Sequence, residues 1–309
     1  MRMPCTIAFL LAAFLPAGAG SGGQQPERAP ETFRSSVDLV TIQASVRDGR
    51  GRTVQGLTPA DFEVRDNGEL RPVVSLQADR QSPVSVAILV DMSGSMRIGA
   101  KAAMARRAFE AVLAQLRDGD EAAVFTFDSA VREREPFTSN LAALAGALSD
   151  VDPFGTTSLY DATAATARRL AARAAAHKAV VVITDGVDTS SALTAPQVSA
   201  VASSIDVPVY ILATVPAVDQ RALEEAIARD PESEAARLRD LAEWTGGRFE
   251  FVGAPTETAR MAGVLVEELR QQYVLAIEAA GTPEWRRLDV RVKRASVLVR
   301  ARSGYYGGS

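Results

Sequence analysis

The chain has a single cysteine, Cys5, and a single histidine, His177, and no apolar run approaches the ~20 residues needed to cross a bilayer. Each scarcity excludes something. With Cys5 near the start, inside an expected signal segment, the rest of the chain has no thiol to pair, which rules out a disulfide-stapled mini-domain. A zinc centre of the Cys/His kind cannot be assembled, and serine–histidine catalysis would have only His177 to use. His177 follows an alanine-rich stretch and reads as a surface or helix-end residue. An excess of basic charge is also missing: 34 Lys and Arg stand against 38 Asp and Glu. No global field therefore draws nucleic acid or anionic lipid, and no nucleic-acid partner is expected.

What is present describes a globular protein, with 47% hydrophobic and 23% charged residues. The 309 residues suffice for one large α/β domain and something smaller. Arg2, an apolar stretch over 7–15, Pro16 and the small residues Ala17-Gly18-Ala19-Gly20 read as a signal peptide, cut after Ala19. Residues 1–19 are thus expected to be removed and the protein to be secreted or periplasmic. No transmembrane segment is expected in the mature chain. Residues 20–36, rich in Gly, Pro, Gln and Arg, read as a disordered leader.

The expected fold is α/β, a doubly wound and mostly parallel sheet over 81–271. A small β module is formed by the flanks 37–80 and 272–309. In the first flank, 37–46 alternates as a strand, Thr58 caps a turn with Pro59 at its first position, and Asp66-Asn67-Gly68 predicts a hairpin between strands at 62–65 and 72–76. From 84 onward strands at 84–90, 122–127, 179–184, 207–213 and 248–251 alternate with helices at 101–116, 141–148, 159–175, 196–204, 221–229, 234–245 and 256–270. Such alternation implies a parallel sheet covered on both faces. The last segments, 273–278, 287–293 and 296–300, return to period two, and their arginines between 286 and 302 read as a solvated face.

The stretch 84–95, VSVAILVDMSGS, is an apolar strand that stops at Asp91-Met92-Ser93-Gly94-Ser95. Three hard oxygen donors at the carboxyl end of a strand suit Mg²⁺, Mn²⁺ or Ca²⁺. Two later segments match it, Gly155-Thr156-Thr157-Ser158 opening a helix and Thr184-Asp185-Gly186 closing a strand. Helix capping is the competing reading for Asp91, Ser93 and Thr157 taken singly.

Together the set Asp91-x-Ser93-x-Ser95, Thr157 and Thr184-Asp185-Gly186 resembles the metal-ion-dependent adhesion site of von Willebrand factor A domains. The flanks and the ending Val299-Arg300-Ala301-Arg302-Ser303-Gly304-Tyr305-Tyr306 resemble bacterial secreted proteins with such a domain. The resemblance implies that Ser93, Ser95 and Thr157 ligate a divalent cation through hydroxyls, with Asp91 and Asp185 orienting them and holding waters. Thr156 stands where the family has a second glycine, so Thr156 is the alternative to Thr157. An ion left electrophilic in this way would accept an acidic side chain from a partner protein, which makes cell adhesion or protein interaction the expected role and catalysis not.

Two other functions compete. Asp91 would be the nucleophile of a magnesium-dependent phosphohydrolase, but the general acid two residues on is replaced by Ser93. The domain would otherwise be structural, with an unused site. Gly18-x-Gly20-x-x-Gly23 and Gly94-x-x-x-x-Gly99-Ala100-Lys101 mimic nucleotide-binding loops but lack their context. Asp128 and Asp188 read as solvated loop residues near the same rim, and Tyr160 and Asp161 as residues that open and pack a helix.

Overall fold

The computed structural model describes residues 39–307 apart from Asp79, Ala176, Val187 and Ile205. The expected signal segment with Cys5 and the leader lie outside the described residues. Strand β1 (Leu39–Asp48) leads through a turn at Pro59–Asp61 to β2 (Phe62–Asp66), β3 (Glu69–Arg71) and β4 (Ser75–Ala78). Then follow β5 (Val84–Asp91), α1 (Lys101–Leu113), β6 (Glu121–Phe127), β7 (Val131–Thr138), α2 (Leu159–Ala171) and β8 (His177–Thr184). Next come α3 (Ala195–Ser204), β9 (Val209–Thr214), α4 (Ala217–Arg229), α5 (Glu234–Trp244), β10 (Phe249–Val252) and α6 (Pro255–Arg270). The chain closes with β11 (Tyr273–Glu278), β12 (Trp285–Val292), β13 (Val297–Ala301) and β14 (Gly304–Tyr306).

The central sheet has the order β10-β9-β8-β5-β6-β7 and is parallel except for the edge pair β6–β7. Every residue of β5 is buried. Its alternating side chains divide between two layers: Val84, Val86, Ile88 and Val90 pack with Phe109 and Val112 of α1 and Leu265 and Leu269 of α6. Ala87 and Leu89 face the opposite way, onto Leu159 and Leu170 of α2, Val198 of α3 and Leu241 of α5. A continuous apolar run is what a strand covered on both faces requires. The fold is mixed α/β, doubly wound around a mostly parallel sheet. After β5 the chain first adds β6 on one side and later β8 on the other, so the strand order reverses between β5 and β8. In open α/β sheets that reversal leaves a crevice at the carboxyl ends of the strands.

The flanks form two antiparallel sheets, β13-β1-β11-β4 and β14-β12-β2-β3. Each mixes strands from both ends of the chain: Ile42 pairs with Leu275, and Val64 with Val290. Between them lies a core of Ile42, Phe62, Val64, Tyr273, Leu275 and Leu288. The hairpin turn is Asn67-Gly68, with φ of 49° and 87°, the left-handed pair that a two-residue turn matching strand twist demands. At the capped turn, the Thr58 N–H and hydroxyl both donate to Asp61 Oδ2 at 2.8 Å.

Several expectations need correction. The hairpin returns through Glu69–Arg71, not 72–76; Pro72 has no N–H for a ladder, and the chain beyond it crosses to β11 as β4. Residues 141–148 hold only a short 3-10 turn, Leu141–Leu144. Strand β7 has no counterpart in the sequence reading, because its charged VREREPFT pattern is that of a half-buried edge. His177 is not a surface residue: α2 ends at Ala171, and His177 opens β8, fully buried, in register with Val84. The arginines between 286 and 302 are not uniformly solvated either. Arg286 is buried and donates to the buried Asp66 at 2.7 Å, while buried Arg302 reaches the carbonyls of Ser203 and Thr41 and so ties the β module to α3.

Candidate functional site

Asp91 is the last residue of β5 and is fully buried. Both of its oxygens are held: Oδ1 accepts the Ser93 N–H at 2.9 Å, and Oδ2 accepts the Thr184 hydroxyl, from the end of β8, at 2.7 Å. The first bond folds the chain back over the carboxylate and places Ser93 and Ser95 on one turn, their hydroxyl oxygens 3.0 Å apart. Ser93 is buried and Ser95 half-buried. Ser93 occupies the cap position of the short turn Gly94–Arg97, yet its side chain makes no cap bond. The cap of α2 is Ser158, again without a side-chain cap bond, and not Thr157. Capping therefore does not account for these hydroxyls.

Backbone bonds seat the second loop against the first. The Gly94 N–H donates to Gly155 O at 2.9 Å and the Phe154 N–H to Met92 O at 2.8 Å. A Cβ at position 94 would stand 3.0 Å from Gly155 O, so the close approach of the loops favours glycine there. The two threonines of the second loop differ. Thr156 is exposed and its hydroxyl accepts from Ser190. Thr157 is buried and held through its backbone, its N–H donating to Thr189 Oγ1 at 3.0 Å and its carbonyl accepting from Thr189 and Ser190.

Asp185 follows β8. Its side chain is 1% exposed, Oδ2 accepts from Lys101 Nζ at 2.8 Å, and Oδ1 is buried without a hydrogen-bond partner. Burial pushes the Asp91 carboxyl up to about 6; the bonds from Thr184 and Ser93 oppose this, and the charge of Asp185 adds to it. Two neighbouring carboxylates, one with an orphaned buried oxygen, leave the crevice short of positive charge. Among the described residues no group of three or more His, Cys, Asp or Glu side chains is arranged to hold a metal, so any ion here would draw on hydroxyls as well. Such an all-oxygen set suits a hard divalent cation.

Asp128 and Asp188 are structural rather than solvated. Asp128 accepts from Ala130 N–H and pairs with Arg132 at 2.5 Å, and Asp188 accepts from Tyr160 N–H, Ser191 N–H and the Ser191 hydroxyl. Tyr160 and Asp161 do pack the start of α2, Asp161 accepting from Ala192 and Leu193 N–H. Lys101 is the residue that sequence reasoning missed. Its signal was present, a lysine opening a helix, where the exposed N–H groups favour the opposite charge.

Residues 86–187, from inside β5 to just past β8, match the family model described as von Willebrand factor type A domain. Among solved structures, the chain is similar to a von Willebrand factor type A protein from Catenulispora acidiphila, with 13% identity, 89% of this chain and 76% of that one covered, and a TM-score of 0.49. It is also similar to the conserved hypothetical protein BatB from Bacteroides thetaiotaomicron, with 16% identity over 60% of this chain and 98% of that one at a TM-score of 0.47. A third is the D319A mutant of the PilB minor pilin from Streptococcus sanguinis, with 12% identity, 62% of each chain covered and a TM-score of 0.47. No curated protein matches the chain. No helix among the described residues is long and apolar enough to cross a membrane.

Proposed function

We propose that the chain is an exported protein-binding module whose crevice between β5 and β8 holds a divalent cation, Mg²⁺ or else Mn²⁺ or Ca²⁺. The observation that carries this reading is the buried, unpartnered Oδ1 of Asp185, just past the end of β8, the strand paired with β5 that ends in Asp91. A buried carboxylate oxygen without a donor is costly, and a cation offsets that cost. The match of residues 86–187 to the von Willebrand factor type A domain supports it further. Ser93, Ser95 and Thr157 would supply neutral hydroxyls, while Asp91 and Asp185 would supply negative charge and orientation. Thr157 is preferred to Thr156, whose hydroxyl is already engaged by Ser190.

Bound there, the ion would offer an open position to a carboxylate of a partner protein. The phosphohydrolase reading has less support among the described residues. Ser93 has no carboxyl to protonate a leaving group, and both oxygens of Asp91 are spent on Ser93 and Thr184. Calorimetry with Mg²⁺ and Mn²⁺ tests the reading on the parent chain and on Asp91→Ala, where binding should be lost. Metal-insensitive melting of both proteins would overturn it, and Asp91-dependent turnover of a phosphate ester would overturn the non-enzymatic role. A pull-down from the native envelope with and without chelator would then identify the acidic partner.

A further inference from the structure

The pairing of Lys101 with Asp185 is at odds with the local rules of helix α1. Lys101 is the first residue of the helix, Ala100 at the cap position makes no side-chain bond, and the first turn holds no acidic residue. The amino end of a helix carries partial positive charge, so a lysine there is placed against the dipole. Its compensation is a single contact, Nζ to Asp185 Oδ2 at 2.8 Å. The lysine side chain is 29% exposed and that of Asp185 1%, so the lysine lies toward the mouth and the aspartate at the floor. Asp185 Oδ1 stays without a partner although its twin oxygen is paired. A local choice that is unfavourable alone and repaid only at a functional crevice marks that crevice as its purpose.

We propose that Lys101 is a tethered counter-cation that competes with the divalent ion for Asp185 and thereby sets the affinity of the site. The inference rests on the metal-binding reading above and adds a residue to it. In the metal-free protein the ammonium supplies part of the charge that Asp91 and Asp185 require. An incoming ion must either displace Nζ from Oδ2 or bind beside it against like-charge repulsion, and both routes weaken binding. By the first route metal uptake is an exchange of one cation for another. The long, flexible lysine stem lets the ammonium withdraw to solvent once displaced.

The test measures Mn²⁺ affinity by the loss of the free-ion paramagnetic signal, and Mg²⁺ affinity by calorimetry, on the full chain and on Lys101→Met and Lys101→Arg. Lys101→Gln replaces the methionine variant if that does not fold. Removing the charge should tighten both ions by about tenfold or more, whereas Lys101→Arg, which keeps it, should stay near the parent. In chelator the uncharged variant should melt below the parent, and saturating Mn²⁺ should raise its melting temperature by the larger increment. Unchanged or weaker affinity in the uncharged variant, or equal tightening by arginine, would overturn the role of Lys101 and leave the metal site standing. Absence of Mn²⁺ binding in every protein would overturn the metal reading itself, and this inference with it.

Discussion

The Thr184 hydroxyl donates to Asp91 Oδ2 at 2.7 Å, and both residues are fully buried at the ends of neighbouring parallel strands. That bond joins β8 to β5 at the reversal of strand order. It also fixes the orientation of the carboxylate from which the Ser93–Ser95 turn hangs. The same Thr184 oxygen accepts the Gly186 N–H at 3.0 Å, so one hydroxyl organises both sides of the crevice.

Thr184→Val keeps the shape of the side chain and removes both bonds. It leaves a buried carboxylate oxygen and a backbone N–H unsatisfied, a loss of about 1–3 kcal/mol of stability. Urea denaturation should show the loss. Calorimetry should show weaker Mg²⁺ binding, since Asp91 is then free to turn.

Acidity gives a second prediction. Asp91 has a carboxyl raised from 3.8 to about 6 by burial, so between those values the folded chain holds a proton that the unfolded chain has released. Its contribution to metal-free stability is therefore greatest below pH 4 and falls as pH rises toward 6, by about 2–3 kcal/mol in all. Asp91→Asn lacks this slope. Comparing denaturation of the two proteins in chelator from pH 4 to 7 should isolate it. The ion needs the ionised carboxylate, so Mg²⁺ affinity should decline as pH falls below 6.

Gly94→Ala tests the seating of the two loops. The added Cβ meets a backbone oxygen, Gly155 O, at 3.0 Å, so the second loop must shift to admit it. The expected result is a stability loss of about 1 kcal/mol and a larger proportional loss of metal affinity, read by the same calorimetry.

In the β module, Arg286 and Tyr305 both donate to Asp66, which is fully buried. Arg286→Met takes the nearer guanidinium from that carboxylate, leaves Arg71 at 3.6 Å, and should cost about 3 kcal/mol, the low end for a broken buried pair. Tyr305→Phe removes one neutral donor and should cost about 1 kcal/mol. Thermal melts that rank the two variants the other way would contradict this account of how the C-terminal strands are held.

Much of the fold was legible because it follows from local rules. The continuous apolar run at β5, the capped turn at Thr58 and the Asn67-Gly68 hairpin are each written within a few residues. Strand β7 escaped notice because an edge strand with alternating Arg and Glu looks like a loop. His177 escaped because an alanine run of high helix propensity continues up to it, and only pairing with Val84 makes it a strand residue.

The candidate site divides along the same line. Asp91, Ser93 and Ser95 are grouped by the sequence itself, since two-residue spacing after a strand leaves them on one turn whatever surrounds them. The docking of Gly155 against Gly94, the bond of Thr184 to Asp91 and the reach of Lys101 to Asp185 join residues 61, 93 and 84 positions apart. The burial of Arg286 on Asp66 spans 220. Contacts at such separations depend on which strands lie side by side and on what each burial leaves unsatisfied, and only the assembled sheet decides both.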